Sequence, residues 1–260
     1  MQRKCLFAFV ALCAALMAMH SAADGKEPAA FMIQPRTGVA TVTYRILRNG
    51  NAIGEHRYTF LEQADSLVVK SEAVAQVTLL GFPAYRFRQV VHESWQGGRL
   101  VTLDAQTDDN GRATEVRARA TADGITIDGP GGRAQVAADA VPATYWNAST
   151  IRGVPLIDTR NGRTTPPDVT PLGGQNVEMP GRGPTEAQRF HVDGPIRFDV
   201  WYDASGLWAK AAFETEHGRI EDVPSSVSGD PVLLARILSA QRATIAATLA
   251  DATARPPSEK

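Results

Sequence analysis

Ala40-Thr41-Val42-Thr43-Tyr44-Arg45-Ile46, the pair Asn49-Gly50, and Gly54-Glu55-His56-Arg57-Tyr58-Thr59-Phe60 decide the fold. Apolar and polar residues alternate with period two on both sides of a pair whose positions tolerate positive φ, which predicts two half-buried strands joined by a tight hairpin. The cadence repeats outward. Ala64-Asp65-Ser66 leads into Leu67 to Leu79, Gly81-Phe82-Pro83 into Tyr85 to Trp95, and Gly97-Gly98 into Leu100 to Thr107. Asp108-Asp109-Asn110-Gly111 leads into Ala113 to Thr121, and Asp123-Gly124 into Ile125-Thr126-Ile127. Seven successive strands without helical periodicity between them predict a mainly β fold. Several are ten residues or longer. That length predicts a strongly curved antiparallel meander, a half-barrel or open barrel, rather than a compact sandwich.

Residues 129–184 interrupt the pattern: seventeen of these 56 residues are Gly or Pro. The composition predicts an insertion, a loop or lid, with a turn of helix near Thr144–Ser149 and a short strand at Leu156–Thr159. Strands return at Gln188–Val192, Ile196–Tyr202, Trp208–Thr215 and Arg219–Val223, so 38–225 reads as one β domain. From 230 to 252 the period changes to that of an amphipathic helix. Asp230 stands as N-cap and Pro231 in the first turn, and Leu233, Leu234, Ile237, Leu238, Ile245 and Leu249 form one stripe. Without a basic face, that stripe is expected to pack on the edge or open face of the sheet.

The N-terminus has the layout of an export signal over residues 1–23. Arg3 and Lys4 precede an apolar run from Leu6 to Met19, and Ser21 and Ala23 are the small residues before a cut after Ala23. The run of about 14 residues is shorter than the ~20 of a membrane span. Residues 24–37 form an N-terminal extension. Both cysteines, Cys5 and Cys13, lie in the leader, and Leu12 is too large for a lipoprotein signal. The expectation is a periplasmic or secreted chain without disulfide, thiolate or transmembrane span. The whole sequence carries −1; without the leader, 25 bases face 28 acids, which argues against a nucleic-acid partner.

Chemistry is sparse. His56, His92, His191 and His217 make no local ligand pair, and the Asp108–Gly111 run places Gln106 and Arg117 where a calcium loop needs carboxylates. There is no G-x-S-x-G elbow and no phosphate-cradling glycine loop, so no catalytic residue, metal or cofactor is assigned. His92 and Glu93, adjacent on a strand, point to opposite faces. The aromatic residues Tyr44, Tyr58, Trp95, Trp146, Trp201, Tyr202 and Trp208 are the candidate ligand-binding set. Either they line an apolar pocket in the curved sheet or they plug the core at the sheet ends. Trp201 and Tyr202 are expected on opposite faces.

Several strings together resemble a family of exported bacterial proteins known as a domain of unknown function. They are Tyr44–Gly50 with Ile53-Gly54 and His56, Glu93-Ser94-Trp95 with Gly98-Arg99-Leu100, Thr107–Gly111, Tyr145-Trp146-Asn147, and Val200-Trp201-Tyr202-Asp203 with Gly206 and Trp208. The resemblance runs from about Val39 to Val223 and leaves the terminal helix outside. The strand order is also similar to the wider group of periplasmic half-barrels that includes the lipoprotein-localisation carriers, which implies a half-barrel fold. Neither likeness brings catalytic residues. The resulting expectation is a non-enzymatic exported protein holding a lipid-like or apolar molecule, with 129–184 as cover. The alternatives are an envelope scaffold that binds a protein partner and a hydrolase assembled from distant Asp, Glu and His. The last would need a His–Asp contact or paired carboxylates in a cleft.

Overall fold

The computed structural model describes residues 38–254 except 80 and 217. The expected leader, the 24–37 extension and His217 lie outside the described residues. Seven hairpin-linked strands open the domain: β1 Val39–Arg48, β2 Asn51–Gln63, β3 Ser66–Leu79, β4 Phe82–Gln96, β5 Arg99–Asp109, β6 Arg112–Thr121 and β7 Gly124–Asp128. Short strands β8 Ala134–Val136, β9 Val141–Pro142, β10 Leu156–Ile157 and β11 Thr164–Thr165 follow. The second meander is β12 Asp168–Met179, β13 Gly183–Asp193, β14 Phe198–Asp203, β15 Trp208–Thr215 and β16 Gly218–Gly229, and helix α1 spans Pro231–Ala254.

The turns follow their residue chemistry. Asn49 and Gly50 have φ of 50° and 81°, and Asn110 and Gly111 have 52° and 90°. Two consecutive positive φ values define the hairpin turn whose twist matches its strands. The Gly111 N–H also donates to Asp108 Oδ1 at 2.7 Å, so the acidic run is a turn device. Along β1 the buried face is Ala40, Val42, Tyr44 and Ile46, and along β2 it is His56, Tyr58 and Phe60. The alternation read from the sequence is therefore the inward face of the sheet.

The main sheet has thirteen strands in the order β12-β13-β14-β15-β16-β1-β2-β3-β4-β5-β6-β7-β8, with its two edges unpaired to each other. The first strand lies mid-sheet because β16 returns to pair antiparallel with it, from Ala40↔Gly229 to Arg48↔Ile220. The two meanders thus form one continuous surface. Its concave side collects side chains from both halves: Tyr44 of β1 and Trp208 of β15 stack with ring centroids 4.1 Å apart.

The insertion reading of 129–184 needs two corrections. Residues 168–179 are a full strand, paired with β13 from Asp168↔Asp193 to Met179↔Gly183. Pro171, Gly173 and Gly174 are tolerated because β12 is an edge strand, where one side of the backbone has no ladder to satisfy, and the register shifts between Pro171 and Gly173. Nor is the preceding stretch a cover. Val141, Ala148, Ile151, Leu156 and Ile157 are 0–4% exposed and belong to the same core cluster as the sheet. This plug carries the small sheet β11-β10-β9 and a 3₁₀ turn at Ala148–Ile151. Asn147 caps that turn, its Oδ1 accepting from the Ser149 N–H at 2.9 Å.

At the helix start, Asp230 Oδ1 accepts from the N–H groups of Val232 at 2.8 Å and Leu233 at 3.2 Å. Leu233, Ile237, Gln241 and Ile245 are buried, with Leu234, Leu238 and Leu249 packed beside them. The helix lies over one end of the sheet, where Leu238 and Arg242 press on Gly206 in the β14–β15 turn. It is also long and apolar enough to cross a membrane, with a mean hydropathy of 1.3. Its buried stripe belongs to the β domain.

Candidate functional site

One groove of about 500 Å³ opens where α1 crosses the sheet end, between the β2–β3 turn, the β4–β5 turn and the start of the 3₁₀ turn. Leu67, Trp95, Trp146, Leu233 and Ile237 supply its apolar lining, and Glu62, Asp65 and Arg236 its charges. Arg236 is paired with Glu62, which ties the helix to β2. Asp65 accepts a hydrogen bond from Gln96 Nε2.

Behind the two tryptophans lies Glu93, 1% exposed on the inward face of β4. Its Oε2 accepts from Trp95 Nε1 at 2.8 Å and from Trp146 Nε1 at 3.0 Å, and the two rings meet edge to face at 5.5 Å. The Thr144 hydroxyl is close enough to act on the carboxyl, but neither it nor Glu93 Oε1 makes a well-aligned hydrogen bond among the described residues. Burial pushes the Glu93 carboxyl up to about 7, against the pull of Thr144, Trp95 and Trp146. No cation pairs with it among the described residues, so the carboxyl is supported by neutral donors alone.

All seven candidate aromatics are buried in one core cluster, and Tyr44, Tyr58, Tyr202 and Trp208 lie in it away from the groove. Tyr44 Oη donates to the Trp208 carbonyl at 2.8 Å, Tyr58 Oη to the Thr144 carbonyl, and Tyr202 Oη to the Tyr145 carbonyl at 2.7 Å. Burial drives the hydroxyls of Tyr44 and Tyr58 well above their ordinary range, with Asp222 adding to it. Tyr58 and Tyr202 thus fasten the plug to the sheet, each satisfying a buried carbonyl. The space among Tyr44, Tyr58, Phe60, Trp146 and Trp208 is about 20 Å³, room for one water. Of the two roles the sequence left open for these four aromatics, the structure shows the core plug. Trp201 points to the opposite face from Tyr202, as expected, yet is 2% exposed. Arg189 and Lys210 lie over its ring at 5.0 and 5.3 Å, and its Nε1 donates to Gln175 Oε1 at 2.9 Å. Only Trp95 and Trp146 of the seven line the groove.

A second polar centre was not visible in the sequence. His56 Nδ1 lies 2.8 Å from Asp222 Oδ2 and His56 Nε2 2.8 Å from Ser71 Oγ, joining β16, β2 and β3. With Nδ1 protonated toward the carboxylate, Nε2 accepts from the Ser71 hydroxyl, the order of groups found in acyl-transfer relays. Ser71, Asp222 and His56 are 3%, 4% and 8% exposed. Because β3 lies between β2 and β4, the backbone around Ser71 is committed to ladders on both sides. The three side chains tie β16, β2 and β3 together across the sheet. His56 was legible by its alternation with Tyr58 and Phe60, but Asp222 was not, since nothing local announces that β16 joins β1.

A plugged, open antiparallel sheet with a terminal helix defines the class: a β-barrel-like exterior around a core built by its own chain. The chain belongs to the family described as domain of unknown function DUF6134, whose model matches residues 44–224. A solved structure with the same fold is the beta-barrel-like protein of domain of unknown function DUF1849 from Brucella abortus. The TM-score is 0.51 at 9% sequence identity, covering 75% of this chain and 99% of that one. The comparison with curated proteins finds no match.

Proposed function

We propose that this chain is an exported, non-catalytic binding protein whose ligand, an amphipathic lipid-like molecule, sits in the rim groove beneath α1. The observation that carries the reading is the groove itself: about 500 Å³ is within the size range of small-molecule sites, and its lining sets Leu67, Trp95, Trp146, Leu233 and Ile237 beside Glu62, Asp65, Arg236 and neutral polar side chains, an amphipathic wall. Because the inward aromatics fill the core, this reading puts the ligand at the rim rather than within the curved sheet. Export rests on the leader pattern of residues 1–23, and N-terminal sequencing of protein recovered from the periplasmic fraction tests it. Native mass spectrometry of protein purified from the cell envelope tests the ligand. A bound amphiphile that disappears in Ala240→Trp, which fills the groove from an exposed helix position, is the expected result. A native chain that carries and binds no amphiphile would end the proposal.

The His56–Asp222 contact favours one second reading, hydrolysis with Ser71 as nucleophile. Burial and the committed ladder speak against it. A fluorophosphonate probe that labels the native chain and not Ser71→Ala would establish it, and an unlabelled native chain would remove it.

A further inference from the structure

The charges around the groove are unbalanced. Of its three charged lining residues, Arg236 is taken up by Glu62, whereas Asp65 receives, among the described residues, the neutral Gln96 amide and no cation. Glu93 adds a second carboxyl on the same side, separated from the groove by the two indoles that hydrogen-bond to it. An anionic head group entering here would meet Asp65 and, behind the rings, Glu93, with Arg236 already neutralised. Above pH 7, where the Glu93 carboxyl has lost its proton, a cation would meet complementary charge at both depths. The rings add to this: an indole whose N–H donates to a carboxylate is polarised toward its π-system, which strengthens its attraction for a cation.

We infer that the groove selects an amphiphile with a cationic head, an alkylammonium on a hydrocarbon chain, and that Glu93 is the positioning residue that sets this preference through Trp95 and Trp146. The inference rests on the binding reading above. The hydrocarbon chain lies along Leu67, Leu233 and Ile237, and the ammonium sits at the tryptophan end. Glu93 needs no contact with the ligand; it holds both rings by one oxygen and supplies the countercharge they screen.

The test compares three probes that share one chain, decyltrimethylammonium, decyl sulfate and decanol, each below its micellar concentration and at about pH 8.5, where Glu93 is ionised. Binding to the full chain is read by calorimetry and tryptophan fluorescence. The ammonium is expected to bind at least about tenfold tighter than the sulfate, with decanol between them. In Glu93→Gln that preference falls to about twofold or less, while decanol binding changes by less than about twofold, a split that mere loosening of the fold would not produce. Equal binding of all three probes, or a preference for sulfate, overturns the cation inference and leaves the binding reading standing. No binding of any probe, in the native chain as in Ala240→Trp, overturns the binding reading itself. Should Glu93→Gln fail to fold, the ranking on the native chain and its weakening in Asp65→Asn, at the exposed rim, decide the matter; an unchanged ranking in that variant overturns the inference.

Discussion

The inward face holds two buried polar centres that share a carboxyl group, a histidine or indole partner and a hydroxyl, yet differ in completeness. Around His56 both ring nitrogens are engaged, and Asp222 and Ser71 each have their partner. Around Glu93 one oxygen takes both indole N–H groups while the other and Thr144 Oγ1 stay unmatched. The first centre lies among strands in the middle of the sheet, and the second backs onto the groove under α1. A completed network locks strands together. An incomplete one leaves buried polar atoms unsatisfied, at a cost in stability.

The sharpest way to break this contrast is His56→Ala, which leaves Asp222 buried with no partner ring. Urea denaturation is expected to show a loss of about 3–5 kcal/mol, the range for one half of a buried pair removed. A loss below about 1 kcal/mol would mean that the relay does not join the strands. At the other centre the carboxyl sits raised from 4.5 to about 7 by burial. Between those values the native state holds a proton that the unfolded chain has released, so stability contributed by Glu93 falls as pH rises through the window and is level above it. Relative to Glu93→Gln, the native chain is expected to lose up to about 3 kcal/mol between pH 4.5 and 7. A flat difference in parallel denaturation curves would deny the burial of that carboxyl.

Two smaller changes loosen the groove wall and spare the relay. Gly206 has a φ of 91°, and a Cβ there would stand 2.4 Å from the Leu238 carbonyl oxygen. Gly206→Ala should therefore lift α1 from the turn at a cost of about 2 kcal/mol, seen as faster hydrogen exchange confined to the helix and its contacts. Asp230→Ala removes the N-cap and should lower stability by about 1 kcal/mol, read as a small drop in Tm. Both variants should weaken amphiphile binding. Faster exchange that spread to β2 and β3 would instead tie the helix to the relay.

The polypeptide alone determined what short-range periodicity and turn chemistry can determine. The alternation from Ala40 to Phe60 told which side chains face inward, Asn49-Gly50 and Asn110-Gly111 told where the chain reverses, and Asp230-Pro231 told where the helix begins, because each depends on neighbours within a few residues. Tertiary structure alone decided three other matters: that β16 closes on β1, that the glycine- and proline-rich stretch becomes plug and edge strand, and that Trp95 and Trp146 meet over Glu93 while Trp208 and Tyr44 stack in the core. Those outcomes join residues as distant in sequence as Ala40 and Gly229, Glu93 and Trp146, and Tyr44 and Trp208. Period-two patterning says that a residue is inward, but which distant surface covers it follows from how one continuous sheet rolls and what its own chain leaves to fill the hollow.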